Sequence, residues 1–180
     1  MIRRPLSTAF LDLLFQLVIL LFMMVNIPGK EADSRPRSEF TLSMEWTNNN
    51  RKVDMDIYVL IPTGEVCWFR AKDRGSVFID IDHLGGPTDP PIRREDVNWT
   101  APIIPGSHFI SVNNFRGSTT NEVLVTLTLY DKNGKVRWFT TVPAPPVGAE
   151  TPVVEFIFDN EGQLTSILPS TKSITRLGRG

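Results

Sequence analysis

Two groups of carboxylates stand out in this chain by type and spacing. The first is a single acid, Asp12, set about two turns into an otherwise apolar run; residues 13–29 carry no formal charge. Thr8, Asp12 and Gln16 recur at i, i+4 and i+8, so on a helix they make one polar stripe. The other faces are Leu, Ile, Phe, Val and Met. A carboxylate at the centre of a transmembrane helix costs roughly 2.5–3.5 kcal/mol, and intramembrane acids mark ion pathways. The chemistry expected of Asp12 is therefore uptake and release of a proton or a sodium ion. The plainer alternative is a shallow acid at the membrane interface, helped by Arg3 or Arg4. The second group is Asp54, Asp56, Asp80 and Asp82, at alternate positions of two runs. If those two strands are neighbours, four carboxylates converge, and calcium, which takes about six to eight oxygens, would suit them. The alternative is solubilising charge on outward faces, because no calcium-loop spacing is present.

The remaining candidates for chemistry are weaker. His108 has Ser107 and Ser111 near it in sequence, but no G-x-S-x-G elbow or other nucleophile signature exists, and a plain strand histidine is the expectation. Cys67, between Val66 and Trp68, reads as a small buried hydrophobe. Asn98-Trp99-Thr100 matches a glycosylation acceptor by chance, and Arg93-Arg94-Glu95-Asp96 reads as a mixed-charge loop. One cysteine and two histidines in 180 residues leave no intramolecular disulfide, thiolate cluster or histidine-rich metal site, and no catalytic role is expected. The formal net charge of −1 removes the electrostatic case for nucleic-acid binding.

The elements that must position these residues follow from hydrophobic pattern. The N-terminal run gives about 20 largely apolar residues, enough to cross a ~30 Å hydrocarbon core. It ends Met-Met-Val-Asn-Ile-Pro-Gly, with no small-residue cleavage pattern, so an uncleaved span over residues 6–27 is predicted. Residues 1–5 would then be cytoplasmic and the rest extracytoplasmic, in a single-pass inner-membrane protein. Residues 28–39 are polar with two prolines and read as a linker. From residue 40 the period changes to two: Val53, Met55, Ile57 and Val59 form one such run, Val77, Ile79 and Ile81 another, and Val123, Val125, Leu127 and Leu129 a third. Asn133-Gly134 signals a type I′ hairpin. Eight or nine antiparallel strands over residues 40–168, packed as a β-sandwich, and a flexible tail over 169–180 complete the expected organisation.

Ser7-Thr8-Ala9-Phe10-Leu11-Asp12-Leu13-Leu14, followed by Val18-Ile19-Leu20-Leu21-Phe22-Met23-Met24-Val25, resembles the transmembrane helix of the ExbD/TolR and MotB-type subunits of ion-driven membrane motors. The resemblance implies Asp12 as ion carrier, with Ser7, Thr8 and Gln16 as pore-facing helpers. It also implies two copies of the helix inside a pentamer of multi-span subunits of the ExbB/TolQ/MotA type. The outer domain carries a different resemblance. Val53-Asp54-Met55-Asp56-Ile57-Tyr58-Val59 and Pro62-Thr63-Gly64-Glu65, with Asp80-Ile81-Asp82, Gly85-Gly86-Pro87 and Pro105-Gly106-Ser107-His108-Phe109, are similar to YfaP-like and pre-peptidase C-terminal domains. These are binding or accessory modules without catalysis. Two functions are therefore expected: a motor subunit whose sandwich transmits force to an extracytoplasmic target, or a membrane-tethered module binding a protein or glycan.

Overall fold

A computed structural model describes residues 10, 12–19, 37–47, 53–83, 92–117 and 123–174. The chain divides into two units, Met1–Arg35 and Pro36–Gly180. In the first, residues 12–19 are helical and exposed, and Asp12 and Gln16 lie among them. At ~1.5 Å per residue this stretch reaches less than half of a ~30 Å hydrocarbon core. Among the described residues no helix is long and apolar enough to cross a membrane. The predicted span over 6–27 is thus overturned, and the single-pass inner-membrane placement and the membrane and channel assignments built on it fall with it. Ser7 and Thr8 lie outside the described residues.

The second unit is built of antiparallel strands in two sheets. They are β1 (Ser38–Thr47), β2 (Asp54–Leu60), β3 (Val66–Cys67), β4 (Asp73–Arg74), β5 (Val77–Asp82), β6 (Ile92–Thr100), β7 (Gly106–Arg116), β8 (Leu124–Asp131), β9 (Val136–Pro143), β10 (Glu150–Phe158) and β11 (Leu164–Pro169). One sheet runs β4-β5-β6-β1-β8-β9 and the other β11-β10-β7-β2-β3. Period-two alternation explains the shared core. Val53, Met55, Ile57, Val59 and Ile61 project from β2 and its flanks into the same cluster as Leu42, Met44 and Trp46 of β1, Val97 and Trp99 of β6, and Phe156 and Phe158 of β10. Alternate residues Tyr58 and Leu60 form a second, smaller cluster with Val66 and Ile174. Ile174, inside the expected tail, is fully buried.

The β8–β9 hairpin forms where Asn133-Gly134 predicts, but not by a two-residue turn. Gly134 N donates to Asp131 O, and Asp131 N to Lys135 O. The Asp131 carboxylate accepts the amides of Asn133 and Lys135 at 3.0 and 3.1 Å, which holds the wider turn, and Gly134 takes φ 75°. Asp159 and Gly162 repeat this arrangement between β10 and β11.

Candidate functional site

The four predicted acids do not form a group on neighbouring strands. β2 belongs to one sheet and β5 to the other. Three of the four, Asp54, Asp56 and Asp82, nevertheless lie within electrostatic reach of a fourth acid, Glu95. Asp54 and Asp56 are 4% and 3% exposed, not outward charges in water. Lys72 meets the Asp82 carboxylate at 2.7 Å. Burial, with the nearby charges of Asp54 and Asp82, pushes the Asp56 carboxyl up to about 7, against a smaller opposing pull from Lys72. Asp80 is exposed on β5 and is not among the charges acting on Asp56.

The acid missed by sequence reasoning is Glu95. The segment 93–96 is not a loop but part of β6, and Arg93, Glu95, Val97 and Trp99 are its alternate, buried residues. The signal was there: two charges continue the period of two apolar core residues. These charges reach across to β2, because β3 covers only Val59 and Leu60 of that strand. Ile57 N donates to Glu95 Oε2 at 2.8 Å, and Arg93 Nη1 and Trp46 Nε1 donate to Val53 O at 2.6 and 3.2 Å. Side chains of one sheet thus satisfy backbone groups of the other. Burial first, then Asp56, holds the Glu95 carboxyl well above its ordinary range. Glu95 Oε1, Asp56 Oδ2 and Asp82 Oδ1 are buried with no hydrogen-bond partner among the described residues. Among the described residues no three Asp, Glu, His or Cys side chains are gathered so as to hold a metal ion. Of this cluster, Asp56 and Glu95 are the two acids whose carboxyls burial raises.

His108 is a satisfied core histidine. Trp99 Nε1 can only donate, so His108 Nδ1 accepts from it at 3.2 Å, and Nε2–H donates to Ile104 O at 2.8 Å. Burial lowers its pKa and keeps the ring neutral. Cys67 is buried and its thiol is pushed up to about 12, chiefly by burial. Trp99 is fully buried, so the Asn98-Trp99-Thr100 sequence forms no exposed acceptor, and Asn98 Oδ1 instead accepts from Ser38 and Thr41.

A surface feature that no motif announced lies at the far end of the first sheet. Of the four strands at sheet ends, β3 and β4 have two residues each and β11 six, whereas β9 has eight. Ala144 N donates to Val123 O, and the same register pairs Val125 with Val142 and Leu127 with Thr140. Hydrogen-bonded pairs recur at every second residue of an antiparallel ladder. Thr140 and Val142 therefore turn their backbone groups to β8, and Phe139 and Thr141 turn theirs away from it. Among the described residues no strand pairs with that side of β9. Phe139 is 70% exposed, with exposed Val136 and Leu124 on the same hairpin. Trp138 and Val142 are half-buried against the core from the opposite face.

No family profile, curated protein or solved structure matches the chain.

Proposed function

We propose that the sandwich is a non-catalytic binding module, and that an extended segment of a protein partner adds to its first sheet along β9. The observation that carries this reading is the open side of β9, where the backbone groups of Phe139 and Thr141 face outward beside an exposed aromatic ring. Strand addition uses these components: main-chain hydrogen bonds give affinity, and alternate side chains give selectivity. Natural sheets blunt such edges with lysine, proline, bulges or shortness. β9 carries no lysine, its one proline, Pro143, comes at its end, and its one register shift against β8, at Arg137, lies before Trp138 and leaves residues 138–142 in regular alternation.

The neutral, satisfied His108 and the raised Cys67 thiol support a structural role for both residues. The reading agrees with what the resemblance to YfaP-like and pre-peptidase C-terminal domains implies. The motor reading depended on a membrane-spanning helix around Asp12, and we do not propose it.

The test is selection of binders to the full chain from a random peptide library, followed by amide hydrogen exchange. Bound peptides should slow exchange at Phe139 and Thr141, and Thr141→Pro, which removes an outward N–H, should abolish binding. Binding that leaves both amides unchanged would overturn the reading.

A further inference from the structure

We infer that the segment taken up by β9 is β9 of a second copy, so that two chains join their six-stranded sheets edge to edge about a two-fold axis. This rests on the strand-addition reading above and names its partner. The argument is self-complementarity. An incoming strand must offer outward backbone donors and acceptors at alternate positions. It must also place apolar side chains on the inner face, where Trp138 and Val142 lie half-buried against the core. β9 meets both requirements, because its own free groups belong to Phe139 and Thr141 and its inner face carries Trp138, Thr140 and Val142.

One antiparallel register uses all the free groups. Phe139 pairs with Thr141 of the second copy, Thr141 pairs with its Phe139, and the two-fold axis passes between the two Thr140 residues. Each Phe139 and Thr141 then both donates and accepts. On the inner face Trp138 meets Val142 of the second copy and continues the core across the junction. On the outer face the exposed Phe139 ring gains a neighbour in place of water.

The charges agree. Arg137 is the only charged residue in β9, and its guanidinium lies 3.5 Å from Asp131 of its own chain. In this register Arg137 falls opposite Pro143, not opposite its own copy, so no like charges meet. The pairing is confined to residues 138–142, because β9 shifts register against β8 at Arg137 and Pro143 has no N–H to donate. A two-fold contact of this kind is isologous and closes on itself, so it yields a dimer and not a filament.

The test is a dilution series of the full chain followed by light scattering and sedimentation, with backbone amide exchange at each concentration. The expected result is a dimer whose Phe139 and Thr141 amides lose protection on dilution. Thr141→Pro should raise the dissociation constant at least about tenfold, and Phe139→Asp, which alters only an exposed side chain, should do the same through like charges brought together. The apolar segment before residue 28 is common to all three chains, so association through it would not differ among them. A wild-type monomer, or a dimer unchanged by both variants with Phe139 and Thr141 exchanging freely, overturns the inference. If the chain is monomeric but a selected peptide protects those two amides, the second copy is the wrong partner and the strand-addition reading stands. If neither protects them, both fall.

Discussion

The Glu95 carboxylate, rooted in one sheet, accepts the amide hydrogen of Ile57 in the other at 2.8 Å. This bond occupies a position where β2, paired with β7 on its other side, has no strand beyond it, since β3 pairs only with Val59 and Leu60. An acid inside a sandwich core is costly when charged, and here it stands in for a missing strand by serving a buried backbone donor.

Substitutions at Glu95 should separate those two effects. Glu95→Gln keeps an acceptor for the Ile57 amide and removes the need to hold a proton, so stability at pH 7 should be unchanged or raised. Glu95→Ala leaves the amide unsatisfied and opens a void, and should cost about 2–4 kcal/mol. Urea unfolding at pH 7 measures both. Equal losses for Gln and Ala would show that the hydrogen bond to Ile57 is not what the residue contributes.

The same residues show how far the sequence could be read. Alternation of Val53, Met55, Ile57 and Val59 placed β2 and its core face correctly, because a half-buried strand imposes period two wherever it sits. It could not say that the opposite face is covered. Asp54 and Asp56 are buried, and the charges acting on Asp56 include Lys72 and Asp82, both distant in sequence. Glu95 was hidden because adjacent Arg-Arg-Glu-Asp looks like a solvated loop unless alternate residues are traced on to Val97 and Trp99. At the N-terminus, counting apolar residues gives a length, and among the described residues no helix is long and apolar enough to cross a membrane.

Asp56 should make stability fall as pH rises. Its carboxyl stands at about 7 in the folded protein and near 3.8 when unfolded. Between those values the unfolded chain has released a proton that the folded one still holds. Stability attached to Asp56 is therefore fully present below about pH 4 and lost as pH passes through about 7, by on the order of 4 kcal/mol. Glu95, also raised, acts in the same direction. Asp56→Asn should flatten this part of the profile and raise the urea midpoint at pH 8 while changing little at pH 4. An unchanged slope between pH 4 and 8 would remove Asp56 from the account.

His108 should act with the opposite sign. Its folded pKa is lowered by burial, so below the unfolded value of about 6.5 the unfolded chain takes up a proton that the folded one refuses. Its stabilising contribution is complete above that pH and declines as pH falls through the folded value. His108→Phe should abolish this acid-side decline. It should also cost about 1–3 kcal/mol at pH 7, because Trp99 Nε1–H and Ile104 O lose their partner inside the core. Calorimetric melting across pH 4–8 gives both quantities, and an acid-side decline that survives the substitution would show that another group causes it.

Ile174 should hold down the outer face of the second sheet. Its side chain is fully buried in the cluster of Tyr58, Leu60 and Val66, with Trp68 and Phe109 packed at the rim. The chain reaches this position beyond the last strand and is fastened by one carboxylate: Glu150 accepts the Ile174 amide at 2.6 Å and the Ser173 hydroxyl at 2.8 Å. Lys172 adds a cation over the Phe109 ring at 4.1 Å. Without Ile174 an apolar socket of aromatic and aliphatic groups would open to water, so Ile174→Ala should cost about 2–4 kcal/mol. Removing residues 171–180 should cost at least as much and should increase binding of an apolar fluorescent dye. Glu150→Gln tests the fastening separately: it keeps an acceptor but loses the charge, and should cost less than Ile174→Ala. The measurement is urea unfolding of the full-length variants beside the truncated chain. A truncated chain as stable as the complete one, with no added dye binding, would mean that the socket closes without Ile174 and that the C-terminal segment contributes nothing to the fold.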